Sequence, residues 1–377
     1  MQIGFDAKRA FTNTSGLGNY SRFVLAALLE QFPQNKYFLY TTRQNEIFKN
    51  FVPANPQVQV VEPAGFYRLL PDVWRLGGLA SSVKNLKLDI FHGLSNELPF
   101  FLNQTKVRQV VTIHDLIYLR FPELYKTHDR IIYNAKFKAA CQAADKIIAI
   151  SRQTQQDLMQ FYGIAPEKTE VIYQDCNPIF HYRAEPAVLQ TVKEKYRLPD
   201  HFLLSVGTLE RRKNHLHFLK SWLKSDLTDT HDVVLIGKKL PYTTQIERFI
   251  QENNLTSKVH ILPYIPFPEL PAIYQLAQVF VYPSLFEGFG IPILEGLNSG
   301  VPVVTSTGSC FAEAGGKAAL YADPADITEL ATQLVVASTN QLVRNRMIQA
   351  GYEQAKKFRA ERTIPQINQV YETLMGK

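Results

Sequence analysis

The alternation of two kinds of segment is the feature that most constrains this chain of 377 residues. Short runs rich in β-branched residues recur along its length, separated by stretches of about 10–15 residues with helical periodicity. Strands that alternate with such helices predict βαβ units and parallel sheets. One series of strands is predicted at 3–6, 37–41, 58–62, 90–92, 107–113, 146–150 and 170–173, and a second at 202–206, 232–236, 259–262, 279–282, 301–305 and 319–321.

Two series of this length predict an α/β protein with two doubly wound, Rossmann-like domains, since one domain takes roughly 150–200 residues. The strand rhythm stops near 177–198, where Pro178, Pro186 and Pro199 interrupt the pattern. We therefore expect one domain over 1–185 and a second over 186–359. A final helix is predicted at 364–374, and the segment 360–377 could pack back onto the first domain.

The composition, with 46% hydrophobic and 20% charged residues, is that of a folded globular chain. Cys141, Cys176 and Cys310 lie far apart, which argues against a disulfide scaffold or a zinc ribbon and favours a reducing cytosol. No apolar run approaches the roughly 20 residues of a membrane-spanning helix. The first residues read as a strand and not as a signal peptide. We therefore expect a cytoplasmic protein.

The formal net charge is +7, and the excess is largest in the first 180 residues, with 20 basic and 15 acidic side chains. An excess of this kind can attract phosphates, anionic lipid or nucleic acid. No block of Lys and Arg is present and no aromatic residues alternate regularly with the cations, so the sequence predicts no nucleic-acid binding. An ordinary solvated surface explains the charge best.

The segment 65–87 allows two interpretations. Its aromatic and aliphatic residues, together with four cations, could rest on the inner face of an anionic membrane. The same residues fit the buried stripe of an ordinary helix, which is the interpretation we favour. The cations are Arg68, Arg75, Lys84 and Lys87, and the stripe comprises Phe66, Leu69, Leu70, Val73, Leu76, Ala80 and Val83.

Polar residues and glycines follow several predicted strands at the point where each strand ends. Ligands of open parallel sheets bind beyond the carboxyl ends of the strands, so this clustering predicts a cleft between two domains. The residues concerned are Gly16-Leu17-Gly18 after the first strand, His114 after the fifth, Arg211-Arg212-Lys213 after the eighth and Glu287 to Glu295 after the eleventh.

The run Arg211-Arg212-Lys213 is predicted to open a helix. Cations at a helix N-terminus oppose the helix dipole unless an anion binds there. A diphosphate would remove the conflict, because arginine can grip it bidentately and lysine can act as a point charge. Three solvated side chains are the less favoured alternative.

Glu287 and Glu295 enclose a stretch rich in glycine and proline, in which Pro292 suits a first helical turn. Two carboxylates on one rim can accept hydrogen bonds from sugar hydroxyls; the alternative is a loop and a surface helix with ordinary glutamates. Gly16 to Gly18 could offer backbone N–H groups to a phosphate or supply only a loop with positive φ, and both readings stay open. For His114 we expect a hydrogen-bonding or electrostatic role and not metal binding.

These segments resemble the family 4 glycosyltransferases, which are retaining enzymes that use nucleotide sugars. The strongest match is YPSLFEGFGIPILEGLNSGVPVVTS at 282–306. The segments VGTLERRKN, TIHDLIYLRFPELY, SGLGNYSR, AISRQTQQDL and LPYIPFPELPAIY agree with the same family. The resemblance covers nearly the whole chain and implies the GT-B architecture, with two Rossmann-like domains facing a central cleft, the first binding the acceptor and the second the donor.

The resemblance also implies roles for individual residues. Arg212 and Lys213 would bind the donor diphosphate, Glu295 the ribose hydroxyls, and Glu287 the transferred sugar, which His114 would face. Backbone groups of Phe289, Gly290 and Ile291 would lie near the sugar, Gly16, Leu17 and Gly18 over the pyrophosphate, and Tyr264 and Ile265 beside the base. Thr208, Arg211 and the stretch DCNPIF at 175–180 depart from the common pattern, which leaves one phosphate contact and the hinge geometry open.

The implied activity is transfer of a hexose without a metal ion or other cofactor. The segment HDLIYLRFPE is similar to bacterial mannosyltransferases of polysaccharide assembly, so GDP-mannose is the favoured donor and a UDP-sugar the alternative. The acceptor is expected to be a lipid-linked or lipopolysaccharide glycan. A sugar-nucleotide epimerase and a non-catalytic carbohydrate-binding protein are the alternative functions.

Overall fold

The computed structural model of the protein describes residues 1–46, 48, 50–51, 55–262 and 264–376. The chain divides into two compact units, Met1–Gln174 with Arg359–Lys377 and Asp175–Phe358. The parallel sheets predicted from the sequence are confirmed in both units, and most of the strands begin and end within two residues of the predicted bounds.

The first unit contains a seven-stranded parallel sheet in the order β3-β2-β1-β4-β5-β6-β7. The strands carry near-continuous apolar runs because helices cover both faces of such a sheet; Val110, Val111 and Ile113, for example, are fully buried. The strands are β1 (Gln2–Asp6), β2 (Lys36–Tyr40), β3 (Val58–Val61), β4 (Ile90–Gly93), β5 (Arg108–Ile113), β6 (Lys146–Ala149) and β7 (Thr169–Val171).

The α-helices of the first unit are α1 (Lys8–Thr12), α2 (Gly16–Gln31), α3 (Pro71–Val73), α4 (Leu79–Asn85), α5 (Ile117–Arg120), α6 (Thr127–Ala143), α7 (Arg152–Tyr162) and, from the end of the chain, α16 (Ala360–Leu374). A 3-10 turn at Gly65–Arg68 precedes α3, and a π-helical turn at Trp74–Gly78 joins α3 to α4.

Large apolar side chains are exposed in the first unit where the sequence predicted a buried stripe. Leu69 is 78% exposed and Phe66 is 70% exposed, and Leu70 and Val73 are exposed as well. Val83 is buried and Ala80 is partly buried, as a stripe requires, while the side chain of Leu76 lies outside the described part. The interpretation as one buried stripe is therefore wrong for the beginning of the segment 65–87.

The second unit contains a six-stranded parallel sheet in the order β10-β9-β8-β11-β12-β13. Its core is formed by side chains such as Leu203, Val233, Val279 and Trp222, all fully buried. The strands are β8 (Phe202–Val206), β9 (Asp232–Ile236), β10 (Val259–Leu262), β11 (Val279–Tyr282), β12 (Val303–Ser306) and β13 (Ala319–Ala322). The helices are α8 (Pro186–Tyr196), α9 (His215–Lys224), α10 (Thr243–Glu252), α11 (Leu270–Leu276), α12 (Ile291–Ser299), α13 (Phe311–Gly315), α14 (Ile327–Thr339) and α15 (Gln341–Ala355).

The division between the units falls after Gln174 and not at the expected position between 185 and 186. The segment that follows Gln174 is bonded to the second unit: the Asn298 amide donates to Cys176 Sγ at 3.3 Å, and the Arg183 guanidinium donates to the Ser299 carbonyl at 2.8 Å. The prolines near 178–199 lie inside the second unit and do not mark its edge.

The C-terminal helix α16 belongs to the first unit. It packs on α2, and its Tyr371 hydroxyl is 2.6 Å from Nδ1 of His92 in β4. His92 and Tyr371 are both fully buried. The helix therefore completes the core of a unit whose other strands and helices come from the first half of the chain. No helix in the described part of the chain is long and apolar enough to cross a membrane.

Each sheet has one point at which the strand order reverses. In the first sheet β1 lies beside β4, and in the second β8 lies beside β11. A crevice forms outside the carboxyl ends of two such strands because the helices that follow them cover opposite faces of the sheet. These two switch points are where the fold favours binding sites.

Candidate functional site

At the switch point of the second sheet, the backbone of the loop after β8 runs very close to that of the loop after β9. A methyl group on Gly237, which follows β9, would lie 1.8 Å from the carbonyl oxygen of Gly207, which follows β8. Glycine at 237 therefore lets the two loops run against each other. The loop after β8 is in this way brought over the carboxyl end of the sheet, where its cationic residues follow.

The three cations after β8 form a 3-10 turn, Arg211–Lys213, and do not open a helix as predicted. Asn214, at φ +60°, separates this turn from α9. The expected conflict between the cations and the helix dipole is therefore weaker than the sequence suggested. Arg211 is exposed, whereas Arg212 and Lys213 are partly buried and make specific ionic contacts.

Glu287 is the centre of these contacts. Its Oε1 lies 2.7 Å from Lys213 Nζ and 2.6 Å from Arg212 Nη1. Lys213 Nζ also donates to the Tyr282 hydroxyl at 2.7 Å. Arg212 donates to the Phe286 carbonyl at 2.7 Å. The eleventh strand, its loop and the turn after the eighth strand are thus joined through one carboxylate.

The charges in this cluster shift the pKa of each group. Burial would raise the pKa of Glu287, but Lys213 and Arg212 more than offset burial and lower that pKa to about 2. Burial lowers the pKa of Lys213, and Glu287 offsets only part of that effect. For Arg212, the attraction of Glu287 and Glu210 exceeds the effect of burial and raises the pKa. At neutral pH Glu287 is therefore ionised and held by two cations.

Glu295 lies on α12 and is 92% buried, so it does not face open solvent. Burial raises the pKa of its carboxyl to about 7, although the Tyr274 hydroxyl donates to Oε2 at 2.8 Å and Lys213 favours the ionised form. Pro292 occupies the first turn of α12, as predicted. Glu287 and Glu295 are thus two buried carboxyl groups whose pKa values are shifted in opposite directions.

The residues predicted to supply backbone contacts lie between these glutamates. Phe289 and Gly290 immediately precede α12, and Ile291 begins it. The buried thiol of Cys310 donates to the Glu287 carbonyl at 3.2 Å. This hydrogen bond holds the loop between β11 and α12 in place. Since α12 begins at Ile291, backbone N–H groups of its first turn point toward the carboxyl edge of the sheet.

Tyr264 and Ile265 follow β10 at the same edge of the second sheet. They differ sharply in exposure: the ring of Tyr264 is 76% exposed, whereas Ile265 is buried. Of these two residues, Tyr264 is therefore the one that presents a flat apolar surface to solvent.

Gly16, Leu17 and Gly18 form the first turn of α2 in the first unit, after the N-cap Ser15. A methyl group on Gly18 would lie 2.0 Å from the carbonyl oxygen of Asn13, whereas one on Gly16 would meet no atom within 4 Å. Gly18 is therefore required by the contact between α2 and the end of α1. Gly16 remains accessible to a ligand.

His114 follows β5 and is 94% buried. Its Nε2 lies 2.9 Å from the Leu94 carbonyl, which can only accept, so Nε2 carries the proton. Burial lowers the pKa of His114 to about 4 despite that hydrogen bond. The imidazole is therefore neutral at physiological pH, and its Nδ1 can accept a hydrogen bond.

The switch point of the first sheet carries a charge cluster that the sequence did not reveal. Arg75 contacts Asp6 Oδ2 at 2.5 Å and Glu97 Oε2 at 2.6 Å, and Lys136 lies 3.5 Å from Glu97 Oε1. Asp6 ends β1, and Glu97 follows β4. The sequence analysis grouped Arg75 with the cations that could rest on a membrane. Nothing in the local pattern indicates its partner Asp6, which is 69 residues away.

The sequence also missed three groups that hold the predicted residues of the second unit. Glu210 accepts from Arg212 at 2.6 Å, Tyr274 donates to Glu295, and Tyr282 accepts from Lys213. Tyr282 could have been found, because it is the last residue of a strand and so lies at the binding edge. Tyr274 lies on α11, and only the packing of that helix on α12 brings it to Glu295.

Potential metal ligands come together at Asp175, Cys176 and His181, whose ligand atoms lie within 4.8 Å of one another. His181 Nε2 is 3.2 Å from Asp175 Oδ2 and 3.9 Å from Cys176 Sγ. The Asn298 amide donates to the same sulfur. Because these groups satisfy one another as an anchor of the segment after Gln174, we assign no metal to them.

Two family models match this chain. The model described as Glycosyltransferase Family 4 matches residues 22–174, and the model described as Glycosyl transferases group 1 matches residues 190–354. The first match lies in the first unit and the second in the second unit. Together the two models cover most of the sequence.

Curated relatives include O-antigen chain mannosyltransferase B of Escherichia coli, which is 29% identical over 78% of this chain and 77% of the relative. O-antigen chain mannosyltransferase RfbU of Salmonella typhimurium is 27% identical over 65% of this chain and 63% of the relative. The serotype-specific mannosyltransferase WbdA of E. coli is 30% identical over 67% of this chain, but the match spans only 32% of WbdA.

Solved structures share the fold over essentially the whole chain. Sucrose-phosphate synthase from Thermosynechococcus elongatus has a TM-score of 0.78 at 20% identity and covers 100% of this chain and 99% of its own. Anabaena Alr3699/HepE in complex with UDP-glucose has a TM-score of 0.75 at 17% identity, covering 99% and 100%. With two matching family models and this shared fold, the chain belongs to the family 4 glycosyltransferases of GT-B architecture.

Proposed function

We propose that the protein is a retaining hexosyltransferase that moves mannose from a nucleoside-diphosphate sugar to a glycan or lipid-linked acceptor in cell-surface polysaccharide or lipopolysaccharide synthesis. The observation that carries this proposal is the contact of Lys213 and Arg212 with Glu287 at the switch point of the second sheet. That cluster puts two cations and a carboxylate where a Rossmann-like sheet binds its ligand.

In this proposal Lys213 and Arg212 bind the donor diphosphate. The Lys213 ammonium has three protons; Glu287 and Tyr282 accept two of them, and a phosphate oxygen can accept the third. The first turn of α12 adds backbone N–H groups, and Gly16 to Gly18 cover the pyrophosphate. These positive groups supply the charge that a divalent cation would otherwise supply, so the reaction is metal-independent and uses no other cofactor.

Glu295 accepts hydrogen bonds from the ribose hydroxyls, and Tyr264 and Ile265 line the edge of the base. Glu287 and the backbone of Phe289, Gly290 and Ile291 hold the transferred sugar. His114 faces that sugar as a neutral imidazole whose Nδ1 accepts a hydroxyl proton in a hydrogen bond. Its low pKa supports this assignment over one as a general acid.

In the reaction, the bond between the anomeric carbon and the diphosphate oxygen breaks while the acceptor oxygen attacks from the same face. The acceptor proton passes to the departing phosphate oxygen, so the nucleoside diphosphate leaves protonated and the anomeric configuration is retained. Lys213 and Arg212 stabilise the negative charge that develops on the leaving group.

The names of the relatives support mannose as the sugar and a polysaccharide as the product, because three of them are mannosyltransferases and two of these act on the O-antigen chain. GDP-mannose is the proposed donor. The HepE structure contains UDP-glucose, which makes a UDP-sugar the alternative. The buried free thiols of Cys141 and Cys310 support a cytoplasmic location.

A screen of nucleotide sugars by thermal shift, followed by assays with glycan acceptors, tests the proposal. We expect GDP-mannose to stabilise the protein, and acceptor-dependent release of GDP to be unaffected by a chelator. Product NMR should show a retained anomeric configuration. Conversion of the donor without acceptor would identify an epimerase, and glycan binding without release of nucleoside diphosphate would identify a carbohydrate-binding protein.

A further inference from the structure

The backbone of His114 is held more firmly than its ring. The backbone N–H donates to Asn96 Oδ1 at 2.7 Å, and the Thr154 hydroxyl donates to the backbone carbonyl at 3.1 Å. Among the residues that the structure describes, the ring makes one hydrogen bond, from Nε2 to the Leu94 carbonyl at 2.9 Å. The second side-chain torsion of histidine has a broad energy minimum. Packing must therefore set the tilt of the ring, and with it the direction of Nδ1.

The ring of Tyr20 supplies that packing. Its centroid lies 4.7 Å from the centroid of the His114 imidazole, and the two planes cross at 89°. A perpendicular contact of two rings is a preferred and directional arrangement. Both side chains are buried, so neither ring can turn into solvent. Tyr20 therefore opposes rotation of the imidazole about its Cβ–Cγ bond.

The hydroxyl of Tyr20 begins a row of hydrogen bonds, which we call the buried chain. Tyr20 Oη lies 3.1 Å from Thr112 Oγ1, which lies 2.8 Å from His92 Nε2. His92 Nδ1 lies 2.6 Å from the Tyr371 hydroxyl. All four side chains are buried. The buried chain thus links α2, β5, β4 and α16 in turn.

His92 acts as a relay in the buried chain. Burial lowers its pKa to about 3, so the imidazole is neutral and carries a single N–H. It therefore accepts a hydrogen bond from one neighbouring hydroxyl and donates one to the other. A buried polar group that loses its partner costs free energy, so the loss of one hydroxyl disturbs the group beside it. The position of Tyr20 consequently depends on groups as distant as the last helix.

We propose that Tyr20 is a positioning residue that sets the plane of the His114 imidazole, and that the buried chain holds Tyr20 in place. The inference rests on the proposed function, because that function gives His114 its role beside the transferred sugar. In an alternative account, Tyr20 is an ordinary core residue that supports only the stability of α2. The two accounts differ in whether the effect of Tyr20 on catalysis requires His114.

Steady-state transfer by variants of the full chain tests the proposal. Tyr20→Leu removes the ring contact and should lower kcat about 10²-fold, the effect of a small misplacement at a reacting centre. Tyr20→Phe keeps the ring and should lower kcat only about threefold, because the perpendicular contact remains. If Tyr20→Leu does not fold, Thr112→Val and Thr112→Ser decide. The valine variant loses the link to Tyr20 and should be about fivefold slower than the serine variant, which keeps it; equal kcat values would overturn the proposal.

A double-mutant cycle with His114→Ala separates positioning from general stability. In the absence of the imidazole, Tyr20→Leu should change kcat by less than about twofold, because no ring is left to position. The same loss in both backgrounds would overturn the proposal. Affinity for GDP, measured by thermal shift, should stay within about twofold, since GDP lacks the sugar that His114 faces. A larger loss of GDP affinity would place the effect of Tyr20 on the glycine turn at Gly16 to Gly18 and would also overturn the proposal.

Tyr37 provides matched controls in the same unit. It is buried, and its hydroxyl donates to the Phe32 carbonyl at 2.8 Å, at the other end of α2. Tyr37→Leu and Tyr37→Phe should lower the melting temperature as the Tyr20 variants do, yet keep kcat within about twofold of wild type. A loss of kcat in Tyr37→Leu as large as that in Tyr20→Leu would show that any damaged core tyrosine has this effect.

NMR of nitrogen-15-labelled histidine gives a readout that needs no substrate. His114→Ala identifies the resonances of His114. We expect well-separated Nδ1 and Nε2 resonances in wild type and in Tyr20→Phe, because the Leu94 carbonyl favours one tautomer, and resonances closer together in Tyr20→Leu. Unchanged resonances in Tyr20→Leu would overturn the proposal whatever the activity. A wild type that transfers no sugar, with the resonances moved as expected in Tyr20→Leu, would contradict the proposed function and confirm that Tyr20 sets the ring plane.

Discussion

The two switch points share a topology but have the opposite order of charge. At the first, one guanidinium, Arg75, lies between the carboxylates of Asp6 and Glu97. At the second, one carboxylate, Glu287, lies between the cations Arg212 and Lys213. The groups at the outside of each cluster are therefore acidic in the first unit and basic in the second.

This difference teaches that one fold can prepare two crevices for ligands of different charge. Outer carboxylates can accept hydrogen bonds from neutral hydroxyls, whereas outer cations can hold phosphate oxygens. The central group of each cluster neutralises its neighbours and keeps them in position before any ligand arrives. Arg75 is therefore expected to contribute mainly by positioning, whereas Glu287 positions Arg212 and Lys213 and also holds the sugar in the proposed reaction.

The largest expected effect comes from removing the centre of the first cluster. Arg75→Met leaves two buried carboxylates without their main cation and should destabilise the protein by ~3–5 kcal/mol. Urea unfolding measures this, with Arg346→Met as the exposed control. Adding Asp6→Asn and Glu97→Gln to the variant should restore much of the stability. A loss no larger than that of the control would show that the first cluster is not a buried ionic network.

Lys213→Ala tests the outer cation of the second cluster. Glu287 keeps Arg212 as a partner, so the melting temperature should change little. We expect kcat/KM for transfer from a nucleotide sugar to fall about 10²–10³-fold, the usual effect of losing one group that stabilises a developing anion. Lys220→Ala, an exposed lysine on the following helix, is the control. Equal activity of the two variants would contradict the assignment of Lys213 to the diphosphate.

Glu295→Gln tests the carboxyl whose pKa burial raises to about 7. In the folded protein this group keeps its proton at a pH at which the unfolded chain has released it, so its stabilising effect is present below about pH 4 and is lost as pH rises through 7. Glutamine does not ionise, so the variant does not lose this stability. Its free energy of unfolding should rise by up to ~3 kcal/mol relative to wild type between pH 4 and pH 8. Denaturant unfolding across that range measures the gain, and parallel pH profiles would disprove the raised pKa.

The smallest effects are expected for two buried tyrosines, one in each unit. Tyr371→Phe removes the hydrogen bond to His92 and should cost ~1 kcal/mol. Tyr274→Phe removes a donor from Glu295, so it should also move the pH at which stability changes above 7. Unfolding midpoints at several pH values distinguish the two. If the Tyr371 variant shifted the pH at which stability changes as much as the Tyr274 variant does, the shift could not be attributed to Glu295.

The strands were predictable because parallel strands buried on both faces carry apolar runs that stand out from the helical pattern between them. The positions of Lys213, Glu287 and Glu295 at the carboxyl edge followed from the same reasoning. Their partners did not, because Tyr274 and Glu210 reach the site only through packing. The exposure of Leu69 and Phe66 was missed, since helical periodicity shows which side chains share a face but not whether another element covers it.

The boundary after Gln174 has a similar explanation. Prolines mark places where local structure changes, but the contacts of Cys176 and Arg183 decide which unit a segment joins. Such contacts link residues more than a hundred positions apart. Local composition therefore placed the change of unit in the right part of the chain and missed its position.

The return of α16 to the first unit has a consequence for biosynthesis. A ribosome makes residues 1–174 before the second unit, yet the helix that covers His92 emerges only after that unit. The second unit is one continuous stretch and can form as soon as Phe358 has emerged, while the first must wait with part of its interior uncovered. The unit that is translated first is thus the unit that matures last, and a truncation that removes α16 would damage it selectively.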